Sequence, residues 1–64
     1  MPVVIVEMWQ GRTTKQKDQL AKGITEEFCK IGVPRDQVII IFKDNDKSNW
    51  ATGGNLASEE QQHQ

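Results

Sequence analysis

Two apolar runs, "VVIVEM" at 3–8 and "QVIIIFK" at 37–43, limit most tightly what this chain can fold into. Both are rich in β-branched residues and stay apolar on successive positions. Because strand side chains alternate, Val3 and Ile5 point one way while Val4 and Val6 point the other. Strands apolar on both sides belong to sheets covered on both faces. The segment between the runs holds one helix, so the pattern predicts strand, helix, strand: an α/β chain forming a short βαβ protomer, with two parallel strands and a right-handed crossover. One helix covers only one sheet face, and such a unit is not stable alone in water. The bare face is expected to be buried by another copy, giving an oligomer assembled through its sheets.

The helix is expected over roughly 14–31. Leu20, Ile24, Phe28 and Ile31 share one face, and Ala21 and Cys29 widen it. Thr13 fits the N-cap and Gln16, three residues on, can complete a capping box. Gly32 fits the C′ position and Pro34 blocks continuation. Gly23 weakens the middle by about 1 kcal/mol relative to alanine. After the second run, "DNDKSN" reads as a polar loop, "WATGG" carries two glycines free to take positive φ, and "NLAS" as a short turn or strand.

With 64 residues the chain is a single domain over 1–64, with 59–64 a frayed polar tail. A core this small is marginal and needs a staple. Cys29 is the only cysteine, so a disulfide within the chain is excluded. His63, the only histidine, has no partner at ligand spacing. Oligomerisation is the staple that remains. A net charge of −1 gives no general attraction to nucleic acid or membrane. No signal peptide pattern and no bilayer-length apolar stretch is present, and a free cysteine suits the cytoplasm.

Several weak signals carry no chemistry. "DND" at 44–46 opens like a calcium loop but lacks its glycine and its final glutamate. Glu26 and Glu27 are adjacent on a helix and diverge. Cys29 has no histidine placed to activate it and reads as a small core residue.

Pro2, Arg12 and Trp50 each have a structural explanation when taken singly. Together they point to proton transfer. Aminopeptidases remove an initiator methionine that precedes a small residue, which would leave Pro2 as a secondary amine. An ordinary α-amino group has a pKa of about 7.7–8.0. Apolar surroundings such as Met8, Trp9 and Trp50, and a cation such as Arg12, both disfavour its charged form. A base near neutrality suits abstraction of a proton beside a carbonyl, and a guanidinium binds a carboxylate through two parallel bonds.

Pro2 ahead of a β-rich run, "GRT" at 11–13, "QK" at 16–17 and "NWATGG" at 49–54 resemble the 4-oxalocrotonate tautomerases, from Pro2 to about Ser58. The resemblance implies a βαβ protomer, dimers formed through the sheets, and a homohexamer built as a trimer of dimers. It implies an isomerase that needs no cofactor and tautomerises a small unsaturated 2-hydroxy or 2-oxo acid, such as 2-hydroxymuconate or phenylenolpyruvate. Pro2 would be the general base and Arg12 the carboxylate anchor, with Trp9 and Trp50 lining the pocket. Ile39 stands where the best-known members carry a second arginine from a neighbouring subunit. Isoleucine binds no anion, which favours a less anionic acid or another orientation; Lys43, Lys47 and Arg35 are the candidates to supply the missing charge. The same scaffold also serves dehalogenases and hydratases of small acids, and a non-catalytic assembly with a vestigial pocket is the third reading.

Overall fold

The computed structural model describes residues 1–60. Strands β1 (Val3–Trp9) and β2 (Ile39–Asn45) pair in parallel, with Val3 opposite Ile39 and Trp9 opposite Asn45. Helix α1 (Thr14–Lys30) makes the crossover. Its N-terminus is closed by the expected capping box: the Thr13 hydroxyl accepts from the Gln16 N–H at 3.1 Å, and Gln16 Oε1 accepts from the Thr13 N–H at 2.9 Å. At the other end Gly32, at φ 94°, donates to the Cys29 carbonyl at 3.0 Å, and Val33 donates to the Phe28 carbonyl at 3.2 Å. This paired closure needs a left-handed residue, which glycine adopts without a Cβ clash.

The second strand is displaced from its expected position. It begins at Ile39 rather than 37, because Pro34 opens a 3-10 turn over Arg35–Gln37 in which the Gln37 N–H donates to the Pro34 carbonyl at 2.9 Å. It continues to Asn45, because parallel pairing draws the polar Asp44 and Asn45 into places opposite Met8 and Trp9. Backbone pairing overrides side-chain polarity there.

Helix α1 lies over one face of the sheet, where Val4, Val6, Met8, Ile40 and Phe42 are half-buried with Ala21, Ile24, Phe28 and Cys29. Leu20 and Ile31, expected on the same helical stripe, remain largely exposed, Leu20 on the helix flank and Ile31 at its C-cap. Lys17 and Asp44 form an ion pair that ties the start of α1 to the end of β2.

Beyond β2 the chain forms an arm. A 3-10 turn at Lys47–Asn49 leads into strands β3 (Ala51–Thr52) and β4 (Asn55–Leu56), which pair antiparallel. Gly53 and Gly54 join them at φ 61° and 84°, the pair of positive values that a two-residue type I′ turn requires. "NLAS" thus supplies β4 and the start of α2 (Ala57–Glu60). Glu59 and Glu60, expected in the polar tail, end that short helix; the rest of the tail, His63 included, lies outside the described residues.

Among the described residues only Ala57 is buried. The other sheet face is open: Val3 and Ile39, and beside them Ile5 and Ile41, form a two-by-two apolar block. The radius of gyration is 15.2 Å, against about 11 Å for a compact chain of this length. The protomer is a slab with an arm, shaped to be completed by neighbours. Among the described residues no helix is long and apolar enough to cross a membrane.

Candidate active site

The sequence-selected residues fall into two groups at opposite ends of the sheet. Pro2 precedes β1, and its carbonyl accepts from the Ile39 N–H at 3.0 Å. This bond fixes Pro2 beside Ile39 at the start of both strands. With Met1 in place the Pro2 nitrogen is an amide and no base; Met1 itself is exposed, with nothing packed to hold it.

Trp9, Arg12 and Trp50 belong to the other end. Trp9 closes β1 and packs edge-to-face against Trp50, with ring centroids 5.8 Å apart and planes at 77°. Trp50 reaches Trp9 because the arm folds back on itself: its carbonyl accepts from the Ala57 N–H at 2.8 Å, and its own N–H donates to the Lys47 carbonyl at 3.3 Å. The root of the arm is fixed by Asn45, whose Nδ2 donates to Glu7 Oε1 at 2.9 Å and to the Met8 carbonyl at 3.2 Å.

Lys47 joins this group. Its Nζ lies 4.6 Å from the centroid of the Trp9 ring, and the residue is half-buried. Asp46 caps the turn that carries it, accepting from the Ser48 N–H at 2.9 Å and pairing with the Ser48 hydroxyl. These bonds, the side-chain one first, hold the Asp46 carboxyl below its ordinary range. The run "DNDKSN" carried the signal for this turn, an aspartate two residues ahead of a serine. Only the folded chain places its lysine over a tryptophan.

Arg12 is exposed just past the end of β1. It lines an open groove of about 530 Å³ along the flank of α1 with Gln16, Leu20, Gly23 and Ile24. That groove contains none of Pro2, Trp9, Ile39 and Trp50, so it does not mark the site by itself.

Seven residue steps separate Pro2 from Trp9, about 23 Å at the usual strand rise. Within one copy the candidate base therefore cannot meet the aromatic wall. The remaining candidates are used elsewhere. Glu26 accepts from Arg35 at 3.1 and 2.6 Å, which raises the guanidinium pKa further. Glu27 pairs with Lys30, and Cys29 is a half-buried free thiol. Among the described residues no cluster of three or more His, Cys, Asp or Glu side chains is placed to hold a metal.

Comparison with known proteins gives consistent likenesses. The model of the tautomerase enzymes matches residues 2–60. A probable tautomerase of Lactococcus lactis is 40% identical over 57 residues, covering 88% of this chain and 93% of that protein. The solved 4-oxalocrotonate tautomerase isozymes of Methylibium petroleiphilum superpose with a TM-score of 0.93 at 26% identity, covering 98% of this chain and 100% of theirs. A heterohexamer 4-oxalocrotonate tautomerase from Chloroflexus aurantiacus superposes at 0.84 with 28% identity, over 92% of this chain and 97% of its own.

Proposed function

The chain belongs to the tautomerase family, and from that membership we propose a keto–enol tautomerase acting on a small unsaturated 2-hydroxy or 2-oxo carboxylic acid. Pro2, freed by loss of Met1, is its general base. The observation that carries this reading is that the family match begins at residue 2, with a proline held at the head of β1.

The proline nitrogen takes the proton from the enol oxygen of the substrate. The O–H electron pair forms the carbonyl, the conjugated double bond shifts, and a distal carbon takes the proton back from the prolinium. Nothing is oxidised and no group leaves. Arg12 pairs with the carboxylate beside the reacting carbonyl and draws electron density toward it. Trp9 and Trp50 exclude water, so the amine loses solvation of its charged form and stays a free base near neutrality.

Assembly completes the site. Two-fold pairing of sheet edges runs identical strands antiparallel, which brings the head of β1 in one copy toward the foot of β1 in the next. Pro2 then works with Trp9, Arg12 and Trp50 of the partner subunit. We take the assembly to be a homohexamer, the count of six being supported by the likeness to the Chloroflexus heterohexamer, and place it in the cytoplasm, which suits the free thiol of Cys29.

The test pairs Pro2→Ala with a form extended at the amino terminus so that the proline nitrogen stays acylated. Activity is followed by absorbance on phenylenolpyruvate and 2-hydroxymuconate, with the intact mass of the wild type measured alongside. Both changes are expected to lower kcat/KM by about 100-fold or more without altering the assembled mass. Full activity in both would exclude Pro2 as the base.

A further inference from the structure

We propose that the open sheet face takes a second copy of this chain and that Glu7 and Lys43 select it, forming ion pairs between copies rather than within one. This pairing is independent of the tautomerase reading, since neither residue belongs to the candidate site.

Along the open face the exposed residues are Val3, Ile5, Glu7 and Trp9 on β1, and Ile39, Ile41 and Lys43 on β2. Strand alternation puts them on one side. Glu7 and Lys43 stand directly opposite each other in the register, on neighbouring strands about 4.8 Å apart. Opposite charges so placed ordinarily attract across the strands. Here they do not pair: among the described residues neither forms an ion pair, whereas Lys17, Lys22, Lys30 and Arg35 each do. Glu7 Oε1 accepts from Asn45 Nδ2 at 2.9 Å instead. Both charges are thus held out on the face, side by side and unmatched.

Their position decides what can cover them. Toward the head of the strands lies the apolar block of Val3, Ile5, Ile39 and Ile41, and toward the foot lies the exposed Trp9. A partner that covers both apolar patches also covers the charges between them. Charges buried without a match are destabilising. An acidic partner would match only Lys43, and a basic one only Glu7. A second copy of the chain supplies both.

Rotation about an axis along the strands keeps every residue at its own height. Two faces related in this way set β1 of one copy over β2 of the next. Val3 and Ile5 then meet Ile39 and Ile41, and Glu7 meets Lys43. Stacked sheets commonly align like this, with strand directions within about 30° of each other. Antiparallel stacking, block on block, would instead leave Glu7 and the Lys43 of the other copy six residue steps apart in height, about 20 Å at the usual strand rise. The aligned contact uses the sheet face and leaves the strand edges free for the two-fold pairing that brings Pro2 toward the tryptophans.

The experiment is a charge swap on the full chain, read by sedimentation velocity and native mass spectrometry. Glu7→Lys and Lys43→Glu each set like charges against each other at the contact. Each alone is expected to raise the dissociation constant of the assembly about tenfold or more and to populate smaller species. Mixed in equal amounts, the two variants are expected to regain the wild-type mass, because one chain presents two lysines and the other two glutamates. The double variant carrying both reversals should recover most of the wild-type affinity. Lys15→Glu, a reversal on the exposed first turn of α1, should sediment as wild type. Circular dichroism shows which variants fold. Where a reversal does not fold alone, the two chains are co-expressed: a complex of wild-type mass supports the cross-pairing, and smaller species overturn it. Single reversals that sediment as wild type overturn the proposal, as does a mixture that stays as dissociated as its components, since a pair within one chain gains nothing from mixing. A wild type that is monomeric throughout, or one whose Lys15→Glu variant dissociates equally, overturns it too.

Discussion

Placing a charge at Ile5 tests whether the open sheet face is the assembly surface. Val3, Ile5, Ile39 and Ile41 are 52, 53, 40 and 41% exposed in the protomer, so about half of each side chain is still available to bury. Full burial of such a residue stabilises by about 1.5–3 kcal/mol, which makes covering this block worth about 3–6 kcal/mol per copy. Two facing blocks give about 6–12 kcal/mol, comparable with the cost of about 4–15 kcal/mol for bringing two molecules together. The block alone therefore holds a pair only weakly, and Trp9, Leu20, Ile31 and Leu56, all at least 36% exposed, are available to add further contact. Ile5→Glu removes about a quarter of the block and sets a carboxylate beside Glu7 on the same face, where burial would leave it uncompensated at a cost of several kcal/mol. Sedimentation analysis should show the assembly falling to smaller species at micromolar concentration, and the melting temperature should drop and become strongly concentration-dependent. Ile5→Val, which removes one methylene, should keep the wild-type mass and lose about 0.5–1.5 kcal/mol. If Ile5→Glu sediments and melts as wild type, the face is open in solution and the reasoning fails.

Two further predictions address local structure. Thr13→Ala removes the hydroxyl that accepts from Gln16 and should lower stability by about 1 kcal/mol, or about 4–8 °C in melting temperature for a domain of this size, without changing the assembled mass. Because the Asp46 carboxyl is held below its ordinary range by Ser48, its contribution to the arm is complete above the usual aspartate value of about 3.9 and is lost as pH falls through the lower, folded value. Tryptophan fluorescence should therefore report a change in the arm only below the ordinary aspartate range, and Asp46→Asn should abolish that acid transition; a transition that persists in the variant refutes the role given to the cap.

Those parts of the fold set by local chemistry were legible in the residues. Thr13 with Gln16, Gly32 with Pro34, and the apolar runs each act within a few positions, so the two ends of α1 and the existence of both strands could be read directly. What escaped depended on pairing across the chain. Asp44 and Asn45 look like loop residues until β1 offers them partners, and Pro34 delays β2 by building a turn whose bonds no hydrophobic pattern records. The hairpin at 51–56 was visible as a pair of glycines and a short turn or strand at "NLAS", but its pairing was not, because two-residue strands are too short to show alternation. The candidate site was read from the sequence as a set of residue types. Its division between the ends of the sheet was not, because only the strand register reveals that Pro2 neighbours Ile39 while Trp9 neighbours Asn45.

In the tautomerase reading, that division explains why so small a chain leaves so much apolar surface open. A base near neutrality needs dry walls, and a protomer in which only Ala57 is buried among the described residues has no interior to supply them. In the proposed reading, placing Pro2 at the head of β1 and the tryptophans at its foot moves the task to the contact between copies, where an antiparallel neighbour would bring the two ends together. The residues that desolvate the base are then also residues that hold the assembly. In the proposed reading, substitutions at Trp9 or Trp50 should for that reason affect activity and assembly together, whereas Arg12, exposed just past the end of β1, is free to change which acid is bound without changing whether the oligomer forms. In the tautomerase reading, substrate choice is thereby separated from folding: the apolar block fixes the architecture, and the exposed Arg12 takes the carboxylate.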